Sequence, residues 1–178
     1  MDAPKGLTQD RRIQKSRQAM CTAIFQLLEN STFTRVTVND ICAAAGISRT
    51  TFYQHFQDKY ELIRFALEQT TQELHRLSGG STEKEIHDLL DFVYKNKQVF
   101  RNLNEQNEEL FYLLNEVSIS SLNEYMENLT VMHAGNQSML HSVFLAGGRA
   151  WLLLWWLKTD CQVPMDQLED YLISVMKR

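Results

Sequence analysis

The stretch TVNDICAAAGISRTTFYQHF, Thr37 to Phe56, decides the fold of this chain. Thr37 followed three residues later by Asp40 is the order in which a hydroxyl caps backbone N–H groups while an acid favours the positive end of a helix. A short helix running to about Ala45 follows from it. Gly46 is placed to supply the left-handed backbone of a tight turn, and Ser48 two residues on is an N-cap for a further short helix, about Ser48 to Phe56. Ala43, Ala44, Ala45 and Gly46 let the two helices pack closely, and Ile41, Ile47, Phe52 and Phe56 anchor the second one. Left facing outward are Arg49, Thr50, Thr51, Tyr53, Gln54 and His55, side chains able to meet base edges and phosphates in a major groove. Two short helices joined by a turn containing Gly are the parts of a helix-turn-helix reader.

Upstream, Ile13, Met20, Ile24, Leu27 and Leu28 recur at helical intervals, which predicts a first helix from Asp10 to about Asn30. Downstream, Asp58 caps a fourth helix, 58–78, carrying Leu62, Ile63, Ala66, Leu67 and Leu74 on one face and stopped by Gly79 and Gly80. Further helices are expected at about 82–95, 97–104, 106–129, 136–159 and 165–177, the last opening just after Pro164. No strand signal competes. The expected fold is all-α, with an N-terminal three-helix helix-turn-helix DNA-binding domain over 1–60. A C-terminal helical bundle over 61–178 serves regulation and dimerisation, with the fourth helix joining the two. The composition shifts at the two glycines.

Composition agrees with this. A chain of 178 residues can bury a real core, and its 7 Gly and 2 Pro are fewer than the roughly 12 and 9 of average usage, a scarcity of breakers that favours helices. The net charge of −4 hides a polarised molecule: eight Lys and Arg against five Asp and Glu put the first 60 residues at +3 and the remainder at −7. A polyanion would therefore meet the front of the molecule. Lys5, Arg11 and Arg12 read either as a phosphate-touching arm or as a solvated basic end.

Cys21, Cys42 and Cys161 are an odd number in no metal-type spacing, and read as small hydrophobes of a reducing compartment. The N-terminus has no apolar signal region, and the apolar run Val143 to Leu157 is short and holds Arg149, so the expected location is cytoplasmic, with no membrane partner. His75, His87, His133 and His141 show no HExxH-like metal spacing, and no phosphate loop or GxSxG elbow occurs. Neither catalysis, a metal nor a cofactor is expected.

The longer stretch TVNDICAAAGISRTTFYQHFQDKYELI, Thr37 to Ile63, resembles the DNA-binding signature of the tetracycline-repressor (TetR) family of transcriptional regulators. The likeness runs through the turn, the FY pair, the HF closing the recognition helix and the D-K that follows, and with the first helix covers about a third of the chain. It implies that Tyr53 and Lys59 contact phosphate, and that Thr37 caps near the DNA backbone. It also implies that Ser48, Arg49, Thr50, Thr51, Gln54 and His55 lie where bases and nearby phosphates are met. Thr50 stands where many members carry Gly or Ala. The residues themselves leave a second reading: Lys59 as an ordinary solvated lysine and Tyr53 as a packing aromatic.

SVFLAGGRAWLLLWWLKTD, residues 142–160, is apolar nearly all round a helix, which calls for burial on more than one face. A two-fold interface built from this helix and the last one answers that, with Gly147, Trp151, Trp155, Leu168 and Leu172 as its candidates; family resemblance points the same way. Candidates for an effector pocket are His87, Phe92, Tyr94, Phe100, Phe111, Tyr112, Tyr125, His141 and Trp151, each of which also reads as simple core. The expected function is a sequence-specific DNA-binding regulator, a ligand-responsive repressor on a palindromic operator of double-stranded DNA, acting as a homodimer with a small-molecule effector. The alternative is a family-like regulator controlled by a protein partner, acting as an activator.

Overall fold

The computed structural model describes residues 5–104, 112–113, 115–117 and 136–176, and among these the chain is helical with no strand. The helices are α1 (Lys5–Leu28), α2 (Val38–Ala45), α3 (Arg49–Tyr53), α4 (Lys59–Ser78), α5 (Thr82–Lys95), α6 (Lys97–Asn104), α7 (Asn136–Lys158) and α8 (Met165–Met176). α1 begins five residues before the expected Asp10. Most of the helix expected over 106–129 lies outside the described residues.

The local signals of the sequence act as their chemistry requires. Thr37 and Asp40 form a reciprocal capping box at the start of α2, and Gly46 closes α2 in the left-handed conformation at φ 65°. The Ser48 hydroxyl accepts from Thr51 N, Asp58 accepts from Glu61 N at the head of α4, and Ser81 accepts from Lys84 N at the head of α5. Each cap satisfies a donor that a helix leaves open and contributes about 1 kcal/mol. α3 is shorter than expected: its regular part ends at Tyr53, and the N–H groups of His55 and Phe56 turn back on the Phe52 carbonyl.

One continuous core runs through these helices. Met20, Ile24 and Leu28 of α1 meet Ile41 of α2, Phe52 of α3 and Leu62 and Ile63 of α4, all fully buried. Burying each of these large side chains is worth about 1.5–3 kcal/mol relative to exposure. The core continues through Ile86, Leu90 and Val93 on one stripe of α5 to Val99, Phe100 and Leu103 of α6, then to Trp156 and Leu157 of α7 and Leu168 and Leu172 of α8. α6 packs against both α1 and α7, so it stands between the helix-turn-helix head and the last two helices. The turn after α7 places two non-glycine residues, Asp160 and Cys161, at φ 56°. Arg101 of α6 holds that turn, donating to the Leu157 carbonyl at 3.2 Å and to Asp160 at 2.5 Å, where a cation suits the negative end of α7.

Candidate nucleic-acid interface and associated cavities

α3 is held at both ends and along one side. Ser48 caps it, Phe52 is buried beneath it, and Phe56 fixes the chain just past its end against Phe65 of α4, ring centroids 5.4 Å apart. Arg17 of α1 lies across the same two rings, 5.8 Å from the Phe56 centroid and 5.2 Å from that of Phe65, tying the long first helix to the base of the reader. This clamping leaves a polar face in solvent: Ser48, Arg49, Thr50, Tyr53 and Gln54 are exposed. The Arg49 guanidinium stands 5.8 Å from the Tyr53 ring centroid, one helical turn along, so a cation and a phenol share one outward patch.

Two residues of the predicted set are more withdrawn. Thr51 is half-buried, and its hydroxyl lies 2.9 Å from that of Ser48, as part of the cap. His55 is also half-buried; burial first, and the charge of Arg17 second, lower its pKa, so its imidazole is neutral at pH 7. Thr37 is exposed, its hydroxyl held 2.6 Å from the Asp40 carboxylate.

Lys59 is placed differently from the other cationic candidates. Its ammonium turns into the loop between α1 and α2, donating to the carbonyls of Phe33 at 2.6 Å and Val36 at 2.8 Å, and it lies 4.6 Å from the Phe33 ring centroid. Burial pulls its pKa below the ordinary lysine value. The carbonyls that receive it belong to residues more than twenty positions away, so no local pattern announces the contact.

Two cavities lie in the C-terminal part. The first, about 70 Å³, is enclosed by α4, α5, α6 and α7. Among the described residues Phe92 and Phe100 are the pocket candidates that line it, while Tyr94 is exposed; Arg149, Glu85, Thr70 and Thr71 line it as well and were not among the candidates. Arg149 is legible in hindsight as the single charge inside a long apolar run. His87 points the other way, one position round α5 from buried Ile86, and its Nδ1 meets Glu169 of α8 at 3.0 Å. Trp151 is likewise one position beyond buried Ala150 and faces outward, and Tyr112 is exposed. Phe111, Tyr125 and the His141 side chain lie outside the described residues.

The second is an open groove of about 430 Å³ along the outer face of α7 and α8, where Phe144, Trp151, Trp155 and Tyr171 are exposed. Of the interface candidates, Trp151 and Trp155 are on this face. Leu168 and Leu172 are buried in the subunit's own core, because α8 turns them towards α5, with Leu172 also lining the floor of the groove, and Gly147 is half-buried, with room for a Cβ 3.7 Å from Asn115. Cys21 and Cys42 are buried, with burial pushing the Cys21 thiol up to about 11, whereas Cys161 is half-buried in the turn after α7. Among the described residues no group of three His, Cys, Asp or Glu is disposed to hold a metal ion, and no helix is long and apolar enough to cross a membrane.

Comparison with known proteins bears on the same segment. Residues 22–65 match the family model described as bacterial regulatory proteins, tetR family. A Bacillus subtilis protein described as the uncharacterised HTH-type transcriptional regulator YxbF is 32% identical over 66 residues, which are 36% of this chain and 17% of that protein's length. A Haemophilus influenzae protein, also described as an uncharacterised HTH-type transcriptional regulator, is 25% identical over 162 residues, 77% of this chain and 78% of its own. Among solved structures, a TetR transcriptional regulator from Streptococcus agalactiae superposes with a TM-score of 0.64 at 21% identity, covering 98% of this chain and all of that one. The dihydroxyacetone kinase operon activator DhaS superposes with a TM-score of 0.65 at 16% identity, covering 90% and 93%. These two share the fold with this chain. With its capped reading helix, the segment over residues 22–65 matches the DNA-binding domain of the TetR family of bacterial transcriptional regulators, and the chain shares the fold of TetR-type regulators.

Proposed function

We propose that this protein is a ligand-responsive repressor that binds a palindromic operator as a homodimer. The observation that carries the reading is the exposed polar face of α3, with Arg49, Thr50, Tyr53 and Gln54 in solvent above a helix immobilised by Ser48, Phe52 and Phe56. Arg49, Tyr53 and Thr37 supply phosphate and nearby contacts. Gln54 and Thr50 read base edges, and Ser48, Thr51 and His55 support them at the rim.

A single α3 reaches only a few base pairs, so specificity requires two copies related by a dyad. The exposed aromatic face of α7 and α8 is where a second copy fits, because Phe144 and Trp151 stand 75% and 64% exposed in the isolated subunit. Large apolar side chains left in water on one face favour association. The cavity between α4 and α7 is the effector site, and occupying it changes the relative stability of two arrangements of the reading heads.

The alternative is a family-like regulator controlled by a protein partner and acting as an activator; the activator half of it has one observation behind it, that the fold neighbour DhaS is named as an operon activator. Selection of bound sites from random duplex DNA tests the central reading. Recovery of a palindromic consensus supports it, and no enrichment at physiological salt overturns it. Transcription from the recovered site in a purified system then decides the sign.

A further inference from the structure

The wall of the cavity between α4, α5, α6 and α7 is carbon apart from four polar side chains, Thr70, Thr71, Glu85 and Arg149. Each of the four is already engaged. The Thr70 hydroxyl donates to the Ala66 carbonyl at 2.9 Å and the Thr71 hydroxyl to that of Glu68 at 2.9 Å, so both threonine protons stay on their own helix. Glu85 of α5 is met by His75 Nδ1 of α4 at 2.8 Å. Arg149 of α7 is buried and has partners within the fold. Burial works against its charge, and the Glu85 carboxylate on the same cavity wall works for it. Among the described residues, the anion and the cation that line the cavity therefore offset each other. A charged guest would leave water for a wall with no net charge to receive it, a transfer that is costly. An uncharged guest avoids that cost and gains contact with Leu89, Phe92 and Leu153.

We propose that this cavity takes a small uncharged molecule, hydrocarbon in character and about four carbons long, and that the Glu85–Arg149 pair is what keeps ions out of it. The ligand class rests on the effector reading above. The volume sets the size: about 70 Å³ is roughly half of a ~150 Å³ apolar cavity that accepts benzene, so the guest is smaller than a six-carbon ring. The pairing sets the charge. Glu85 and Arg149 stand on different helices, so removing the carboxylate alone leaves a cation on an apolar wall, which is a site for an anion.

The probes are n-butane, butanoate and butylammonium, which share a skeleton and differ in charge. Binding to the full-length protein is followed by the NMR shifts of its leucine and valine methyl groups, and operator release in parallel by fluorescence anisotropy of a labelled duplex. Butane should bind at least about tenfold more tightly than either ion. Leu153→Trp, which fills the cavity and leaves the charged pair in place, should abolish the butane response. Glu85→Gln, which keeps the side-chain shape and removes the anion, should raise butanoate affinity by about tenfold or more and place it ahead of butylammonium. Equal or tighter binding of either ion to the unsubstituted protein, no response to butane in gas-saturated solution, or a butane response that survives Leu153→Trp overturns the assignment. So does a folded Glu85→Gln protein that ranks the three probes as before. The ranking on the unsubstituted protein decides the ligand class even if the variants fail to fold. Butane binding that leaves operator affinity unchanged keeps the uncharged site and removes the effector reading. Operator release by one of the ions alone keeps the effector reading and removes the uncharged class.

Discussion

Lys59 at the head of α4 donates from Nζ to the main-chain carbonyl of Phe33, 2.6 Å away in the loop between α1 and α2. The same ammonium reaches the Val36 carbonyl at 2.8 Å, just before the Thr37 cap that starts the helix-turn-helix. A charge that the family resemblance directs at phosphate therefore fastens the fourth helix to the entrance of the helix-turn-helix. Replacing it leaves at least two carbonyls without their donor. Lys59→Met is expected to cost about 1–3 kcal/mol of stability, measured by urea denaturation, and to weaken binding to every duplex alike. An unchanged midpoint with reduced DNA affinity would show the phosphate role alone.

On α3 the proposed function separates two kinds of DNA contact. Tyr53→Ala and Arg49→Ala should weaken all sequences similarly and reduce the slope of log affinity against log salt, by about one for the charge. Gln54→Ala should change preference at one base position by about 1–3 kcal/mol with little change in slope. Binding curves on a panel of single-base operator variants at two salt concentrations distinguish the two patterns; identical behaviour of the three variants would contradict the division.

Trp155 is 42% exposed on the outer face of α7, while its neighbour Trp156 is buried and donates to the Val163 carbonyl at 2.7 Å. Trp155→Glu should therefore leave the subunit folded and separate the copies, because an unpaired charge in an apolar interface is strongly unfavourable. Sedimentation velocity should show monomers, circular dichroism an unchanged helix signal, and operator affinity should fall. A persistent dimer would place the interface elsewhere.

Asn102 of α6 joins the two halves of the molecule by a pair of reciprocal bonds. Its amide donates to the Leu28 carbonyl at 2.7 Å, and its own carbonyl accepts from Phe33 N at 2.9 Å. Asn102→Ala removes the first and keeps the second, at an expected cost of about 1–2 kcal/mol in chemical denaturation. Phe100, two residues before it, lines the cavity proposed as the effector site, so on that reading the variant should also show a smaller effect of bound ligand on operator affinity. A full ligand response would exclude α6 as the connection.

His87 and Glu169 bridge α5 and α8 at 3.0 Å. The hydrogen bond and charge of Glu169, with smaller help from Asp88 and Asp91, raise the His87 pKa above its ordinary value. A raised folded-state pKa means a contribution fully present below the unfolded value near 6.5 and lost as the pH climbs through the folded value. The melting temperature should decline over that interval in the unsubstituted protein and decline less in His87→Gln. Because the pair is half exposed, the effect is small.

What the amino-acid order determined unaided is short in range. The Thr37–Asp40 box, the Ser48 cap, the left-handed turn at Gly46 and the Asp58 cap each join groups within four positions, so residue type and spacing suffice to read them. The same holds for the buried stripe of each helix and for the outward face of α3, which follow from the 3.6-residue period. Folding in three dimensions decided which side of a helix with apolar residues all round meets its own subunit. Nothing in the order of α7 says that Trp156 turns inward and Trp155 outward, since one step of 100° separates them and both are apolar. It also decided the partners of the polar side chains that join distant segments. Lys59 with Phe33, Arg101 with Asp160, Asn102 with Leu28 and His87 with Glu169 are contacts across 26, 59, 74 and 82 positions. Such pairs exist only once hydrophobic packing has brought their helices together, because a hydrogen bond acts over about 3 Å and carries no trace of itself along the chain.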